Sequence, residues 1–282
     1  MVSLRSSAGT IHTLYVGDSR DLSFLEIGEV QLILTSPPYW AARDVGHHEK
    51  LGFERDFEDY LDGLVRVLRK GYVLLRPGGA MVLVLADGRV PPAPGAPPRW
   101  VGLHARVVGR LLQDPWMTLH HVGSLRRGPT AAPADRPRRP RRDSPEYAAV
   151  LLKSDGRHPV VKSLRSRAVR SIHPPWERSV ETWFLPRYRS ENPSAFPLAI
   201  PLHFIRSLTS AGDVVFDPFV GGGTTMVTAA RLGRDSVGVE SGFPTRSGRP
   251  FSAAVREAVL AEGGPWTGQR VSFRRIGGLA PS

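Results

Sequence analysis

The chain has 282 residues, 41% of them hydrophobic, enough to bury the core of one large α/β domain, alone or with an insertion. Its formal charge of +12 suits a polyanionic partner, and the complete lack of cysteine excludes disulfides, cysteine-held zinc, iron–sulfur clusters and a thiolate nucleophile. No apolar run approaches a membrane span, the longest clean one being Ala80 to Ala86, and the amino terminus lacks a signal-peptide pattern, so a soluble, cytoplasmic protein without a membrane partner is expected.

Residues 11–18 read as a short strand ending in Gly17 and Asp18, and residues 30–36 read as a second strand, buried on both faces. The second one runs straight into Thr35-Ser36-Pro37-Pro38-Tyr39-Trp40. Proline cannot continue a sheet ladder, so the strand must end there in a stiff loop that offers a hydroxyl and then two aromatic rings. Taken alone, a plain Pro-Pro turn explains this stretch equally well. Residues 56–75 place Phe57, Tyr60, Leu61, Leu64, Val65 and Leu68 at helical spacing, and Arg76-Pro77-Gly78-Gly79 ends that helix before a strand over 80–87. Residues 88–98 and 126–145 are proline-rich; the first suits no regular element, and the second suits disorder until a partner orders it. Residues 146–153 and 181–186 are strand-like. The regular pattern resumes with a helix near 198–208, a strand over 213–219, a helix over 224–232 and a strand over 236–240. Strands alternating with helices predict a parallel sheet.

The positive charge is concentrated. From Arg126 to Arg170 there are thirteen Arg or Lys against four acids, so most of the surplus sits in the middle of the chain. A phosphate-contacting face is the expectation, against the plainer reading of an arginine-rich solvated surface.

Residues 214–225, Val-Val-Phe-Asp-Pro-Phe-Val-Gly-Gly-Gly-Thr-Thr, form a strand, an acid and a triple-glycine turn that opens a helix. Such glycines let a ligand approach the backbone, and the helix start offers free amides. The following strand ends in Glu240, placed to accept hydrogen bonds from a ribose diol. The dinucleotide spacing Gly-x-Gly-x-x-Gly is absent because position 226 is Met, and no Gly-x-x-x-x-Gly-Lys phosphate loop occurs. A purely structural glycine turn is the plain alternative.

The segment Asp217-Pro218-Phe219-Val220-Gly221-Gly222-Gly223-Thr224 resembles the cofactor motif of amino-group DNA methyltransferases that use S-adenosylmethionine, and Ser36-Pro37-Pro38-Tyr39 resembles their catalytic motif. Here the catalytic motif comes first, an order that resembles the β group of the family. Residues 17–22, 66–79 and 191–197 add supporting matches. The likeness covers roughly residues 11–87 and 180–240; the segment after Glu240 departs from the family pattern.

The resemblance implies an α/β, Rossmann-like methyltransferase fold, mostly parallel, with helices on both faces. It implies a catalytic and cofactor-binding domain over 11–87 and 180–276, in permuted motif order, with a target-recognition region over 88–179. It carries Asp217, Phe219, Gly221, Gly223 and Thr224 to the methionine side of S-adenosylmethionine and Glu240 to the ribose. Asp18 approaches the adenine, or else is a turn acid closing its strand; Asn192 and Phe196 line the cofactor pocket. Ser36 and the Pro37 carbonyl accept the two N–H bonds of a flipped-out amine, Pro38 stiffens the clamp, and Tyr39 stacks on the base. A serine in first position goes mostly with cytosine N4, giving site-specific modification of double-stranded DNA. Methylation of adenine N6 on the same fold, and a binding protein without turnover, are the competing readings. A cognate restriction endonuclease and a homodimer are further partners compatible with the family. The pairs His47-His48 and His120-His121 read as surface or loop residues and no metal is expected; Trp176 and Trp183 read as packing residues.

Overall fold

The computed structural model of the protein describes residues 9–40, 51, 52, 54, 56–90, 99–127, 146–154, 181–185, 197–241 and 270–275, with backbone only for 89, 90, 99, 126, 127, 181–185 and 270–275. In chain order the elements are β1 (Ile11–Val16), β2 (Val30–Thr35), α1 (Phe57–Leu74), β3 (Leu75–Ala86), β4 (Gly88–Val90), β5 (Arg99–Val101), α2 (Leu103–Leu111), β6 (Met117–Arg127), β7 (Glu146–Lys153), β8 (Glu181–Leu185), α3 (Ala199–Leu208), β9 (Val214–Asp217), α4 (Thr224–Arg231), β10 (Asp235–Glu240) and β11 (Arg270–Arg275). One sheet of nine strands has the order β11-β1-β10-β9-β2-β3-β7-β6-β8, and β4 pairs with β5 in a separate ribbon. Every strand of the large sheet runs the same way except β7, which is antiparallel to both β3 and β6. This is the Rossmann-like α/β architecture that the alternating pattern predicts. No helix among the described residues is long and apolar enough to cross a membrane.

The central strands read as continuous apolar runs because both of their faces are covered. Ile33, Met81, Leu83, Leu85 and Leu151 pack against α1 and α2, while Leu32, Leu34, Val82, Val84 and Val150 pack against α3 and α4. The helix α1 is fixed at its start by Asp56, whose side chain accepts the Glu58 N–H at 2.7 Å, with Glu58 and Asp59 complementing the helix dipole in the first turn. Its buried stripe, Phe57, Tyr60, Leu61, Leu64, Val65 and Leu68, is the one the spacing predicts.

Four expectations need correcting. Arg76 to Gly79 is not a separate turn: β3 begins at Leu75, and the irregularity is absorbed as a register shift opposite Val30 and Leu32. Residues 88–90 form a strand after all, because β5 supplies ladder partners before the prolines begin. The sheet of the domain expected over 11–87 and 180–276 also takes in β6 and β7, with α2 packed on them, from within 88–179. His120 and His121 are half-buried on β6 rather than on a loop, where the ladder shifts register beside them. Asn192, Phe196, the pair His47-His48, Trp176 and most of 126–145 lie outside the described residues, and Trp183 is placed only by its backbone on β8.

Candidate active site

The two distant segments emerge side by side. β2 and β9 are adjacent and parallel, with Ile33 opposite Phe216, so the loops after Thr35 and after Asp217 leave the sheet at one rim. They are also bonded together: Thr35 Oγ1 donates to Asp217 Oδ1 at 2.7 Å, and Thr225 Oγ1 donates to the Leu34 carbonyl at 3.4 Å. Parallel strands whose connections cross on opposite faces leave a crevice at such a rim, the usual place for a ligand.

Around the glycine turn, Asp217 Oδ1 accepts the Phe219 N–H at 3.0 Å, Val220 N–H reaches the Val239 carbonyl at 3.1 Å, and Gly221 N–H donates to Glu240 Oε2 at 2.8 Å. Gly221 and Gly223 have φ of 50° and 75°, the left-handed region in which a side chain is strained, and Gly223 caps α4. Gly238 on β10 is needed for a different reason. A Cβ there would stand 2.3 Å from Val220 Cγ2 and 2.6 Å from Met226 Sδ, so its absence lets the turn lie down on the strand. Next door, Gly17 N–H donates to the Glu240 carbonyl at 2.9 Å, and Ser19 Oγ donates to the Pro218 carbonyl at 2.5 Å.

The acids differ in what they face. Asp217 is 2% exposed and its carboxylate is committed to Thr35 and the Phe219 amide; burial raises its pKa from 3.8 to about 6. Glu240, also buried, is raised by desolvation, opposed by its bonds to Gly221 and Ser241. Asp18 is held by its own loop: its Oδ1 accepts the Arg20 N–H at 2.8 Å and both oxygens engage the Arg20 guanidinium. That is the geometry of the turn acid. Phe219 and Thr224 are half-buried beside this turn.

On the clamp side, Ser36 is half-buried, Pro37 buried and Tyr39 47% exposed. Beneath the clamp lies a support that sequence reasoning missed. Tyr60, fully buried on α1, donates from its hydroxyl to the Pro38 carbonyl at 2.8 Å, and burial pushes its phenol pKa up. Trp40 Nε1 donates to the Glu54 carbonyl at 2.8 Å, and its ring meets Phe57 edge-on at 5.5 Å. Tyr60 was legible only as a core residue, since its hydroxyl partner is 22 positions away. Tyr60→Phe should keep the packing and free the Pro38 carbonyl. The expected result is a methyl-transfer rate about tenfold lower in single turnover, with unchanged cofactor affinity, the scale of one buried hydrogen bond.

A positive-φ glycine turn between buried acids, bonded to a Ser-Pro-Pro-Tyr loop at one rim of a mostly parallel sheet, fits the Rossmann-like methyltransferase class. Residues 30–242 match the model of the DNA methylase family, and the chain belongs to that family. The type II methyltransferase M.Cfr9I of Citrobacter freundii is 27% identical over 256 residues, which is 81% of this chain and 83% of M.Cfr9I. M.SfiI of Streptomyces fimbriatus reaches 43% identity over 86 residues, 30% of this chain and 20% of M.SfiI. Among solved structures, TTHA0409 of Thermus thermophilus in complex with S-adenosyl-L-methionine is 27% identical with a TM-score of 0.66, covering 95% of this chain and all of that one. The cytosine-N4-specific PvuII DNA methyltransferase, 18% identical, shares the fold with a TM-score of 0.61 over 95% of this chain and 98% of its own. The activity is methyl transfer to DNA, and the methyl donor is S-adenosylmethionine.

Proposed function

We propose that the protein methylates the exocyclic N4 amine of cytosine at a specific site in double-stranded DNA. The observation that carries this reading is Ser36 at the head of the Pro-Pro-Tyr clamp, on the rim it shares with the glycine turn. S-adenosylmethionine supplies an electrophilic methyl group on a cationic sulfur. The turn Gly221 to Thr224 and Glu240 fit it, because positive-φ glycines leave the backbone open beside a buried carboxylate. Asp217 acts on that site by shaping the turn, and the family resemblance assigns Asn192 and Phe196 to the cofactor as well. Asp18 holds the neighbouring loop through Arg20.

An amine conjugated to a base ring needs orientation more than a strong base. Ser36 Oγ and the Pro37 carbonyl each accept one N–H, drawing the nitrogen toward tetrahedral geometry, and Tyr39 stacks on a base that has left the duplex. Target recognition falls to the region 88–179 outside its framework strands. β6 ends and β7 begins at the rim where the clamp also stands, three and two strands along the sheet from β2, and the sequence between Arg127 and Glu146 carries five arginines against two acids. Its charge suits phosphate contacts.

Incubation with labelled S-adenosylmethionine and DNA, digestion to nucleosides and mass identification is expected to give N4-methylcytosine. N6-methyladenine would replace the base assignment, because a hydroxyl acceptor serves either amine. No label with any DNA would favour a binding protein without turnover. A cognate endonuclease and a homodimer are part of the same proposal as type II partners.

A further inference from the structure

The carboxyl rim holds a second cluster that neither the clamp nor the glycine turn uses. Asp87 follows β3 directly, and β3 lies beside β2 with Leu83 in register with Thr35, so Asp87 stands past the level of Ser36 on the next strand. Its Oδ1 lies 2.8 Å from His104 Nδ1 and also accepts the His104 backbone N–H at 3.2 Å. The helix α2 begins behind Gly102, which has no side chain to cap it, so Asp87 does so from the neighbouring strand. Tyr147, at the start of β7, stacks on the imidazole with ring centroids 3.8 Å apart and planes at 21°. Three elements therefore fix one imidazole at the rim, with the side chains of Asp87 and His104 14% and 22% exposed.

A carboxylate at Nδ1 holds the proton on that nitrogen and leaves Nε2 as a lone-pair acceptor. We propose that His104, oriented by Asp87 and Tyr147, takes the proton that the target amine releases on methylation. The proposal rests on the amino-methyl transfer reading above. In that step the amine nitrogen forms a bond to the methyl carbon, the methyl–sulfur bond breaks, and its electron pair stays on sulfur. The nitrogen is left cationic with one proton too many. That proton passes to Nε2, and Asp87 offsets the charge of the resulting imidazolium.

Ser36 and the Pro37 carbonyl orient N–H bonds, but neither is a base at neutral pH. Among the described residues, the other carboxylates near this rim have partners: Asp217 with Thr35 and the Phe219 amide, Glu240 with Gly221 and Ser241, Asp18 with Arg20, and Glu54 with the Gly52 amide. The partial exposure of His104 lets the proton leave to solvent between turnovers. Among the described residues, the titratable groups that meet the ring are Asp87, just after β3, and Tyr147 on β7, preceded by Glu146. Glu58 of α1 is held by Arg106 and Arg110 of α2.

The test is single-turnover methyl transfer at saturating DNA and cofactor between about pH 5.5 and 9, bracketing the imidazole range. Wild type should slow on the acid side, as a step that hands its proton to an enzyme base does. His104→Asn keeps a donor toward Asp87 but no base; a rate about a hundredfold lower, without the acid limb and with unchanged cofactor affinity, is expected. Asp87→Asn keeps the helix cap and should lose rate through the weakened imidazolium. Nitrogen NMR of the free protein should find the proton on Nδ1 and the lone pair on Nε2. A His104→Asn enzyme within about twofold of wild type, with the acid limb intact, would overturn the proposal; so would a proton found on Nε2. Failure of the underlying reading looks different, because wild type itself would then label no DNA.

Discussion

Ser36→Ala is expected to lower methyl transfer by about a hundredfold to a thousandfold, the cost of removing one preorganised hydrogen-bonding group at a reacting centre. The neighbouring hydroxyl cannot take its place: Thr35 is fully buried and its Oγ1 is spent on Asp217 at 2.7 Å. Nor can the clamp close on the gap, since Pro37 and Pro38 fix the backbone and Tyr60 holds the Pro38 carbonyl from below. The alanine enzyme should still bind cofactor with wild-type affinity, because the groups assigned to it stand on β9, α4 and β10, whose bonds to β2 pass through Thr35 and Leu34 rather than Ser36. Equilibrium binding of labelled S-adenosylmethionine, beside single-turnover transfer, separates the two effects. Full activity in the alanine variant would remove Ser36 from the reacting centre.

What the sequence made legible follows from which faces are buried. β2, β3 and β9 stand out because a strand covered on both sides must be apolar throughout, and proline and glycine mark where each one stops. The two rim motifs were legible for the same reason, lying directly after such strands. α2 was missed although Leu103, Val107, Val108 and Leu111 have helical spacing, because it is short and follows a proline-rich stretch. β6 was missed because Thr118, His120 and His121 blunt its apolar pattern and its partners come from a strand more than twenty residues later. At the site itself, side chains that act at a distance were not readable. Nothing near Tyr60 announces a bond to Pro38, and nothing near Asp87 announces His104; both pairings exist only once α1 and α2 are laid on the sheet. Asp18 is the opposite case, since its bonds to Arg20 are two residues away and a local turn sufficed to explain it.

Asp217→Asn is expected to make the protein relatively more stable as pH rises, and to weaken cofactor binding at the same time. Burial raises the Asp217 carboxyl from 3.8 to about 6, so folding favours its protonated form. The stabilisation of that form is present in full below about pH 4 and is lost as pH climbs through about 6, a change of about 3 kcal/mol for this one group. Asparagine keeps the shape and carries no charge. Its Oδ1 can still accept from Thr35 and the Phe219 amide, and its N–H groups can turn toward the Thr225 hydroxyl, an existing partner of the carboxylate. The unfolding free energy of Asp217→Asn minus that of wild type should therefore increase by about 2 kcal/mol between pH 4 and pH 7, read from urea titrations at both. An equal difference at the two pH values would mean that the hydrogen bonds, not the buried charge, set the pKa. On the reading proposed above, Asp217 shapes the turn that takes the methionine end of S-adenosylmethionine, so its buried negative charge lies on the side of the cofactor's cationic groups. Calorimetry at pH 7.5 should then find the asparagine variant binding S-adenosylmethionine about tenfold more weakly, the trade expected where a site is held away from its stability optimum.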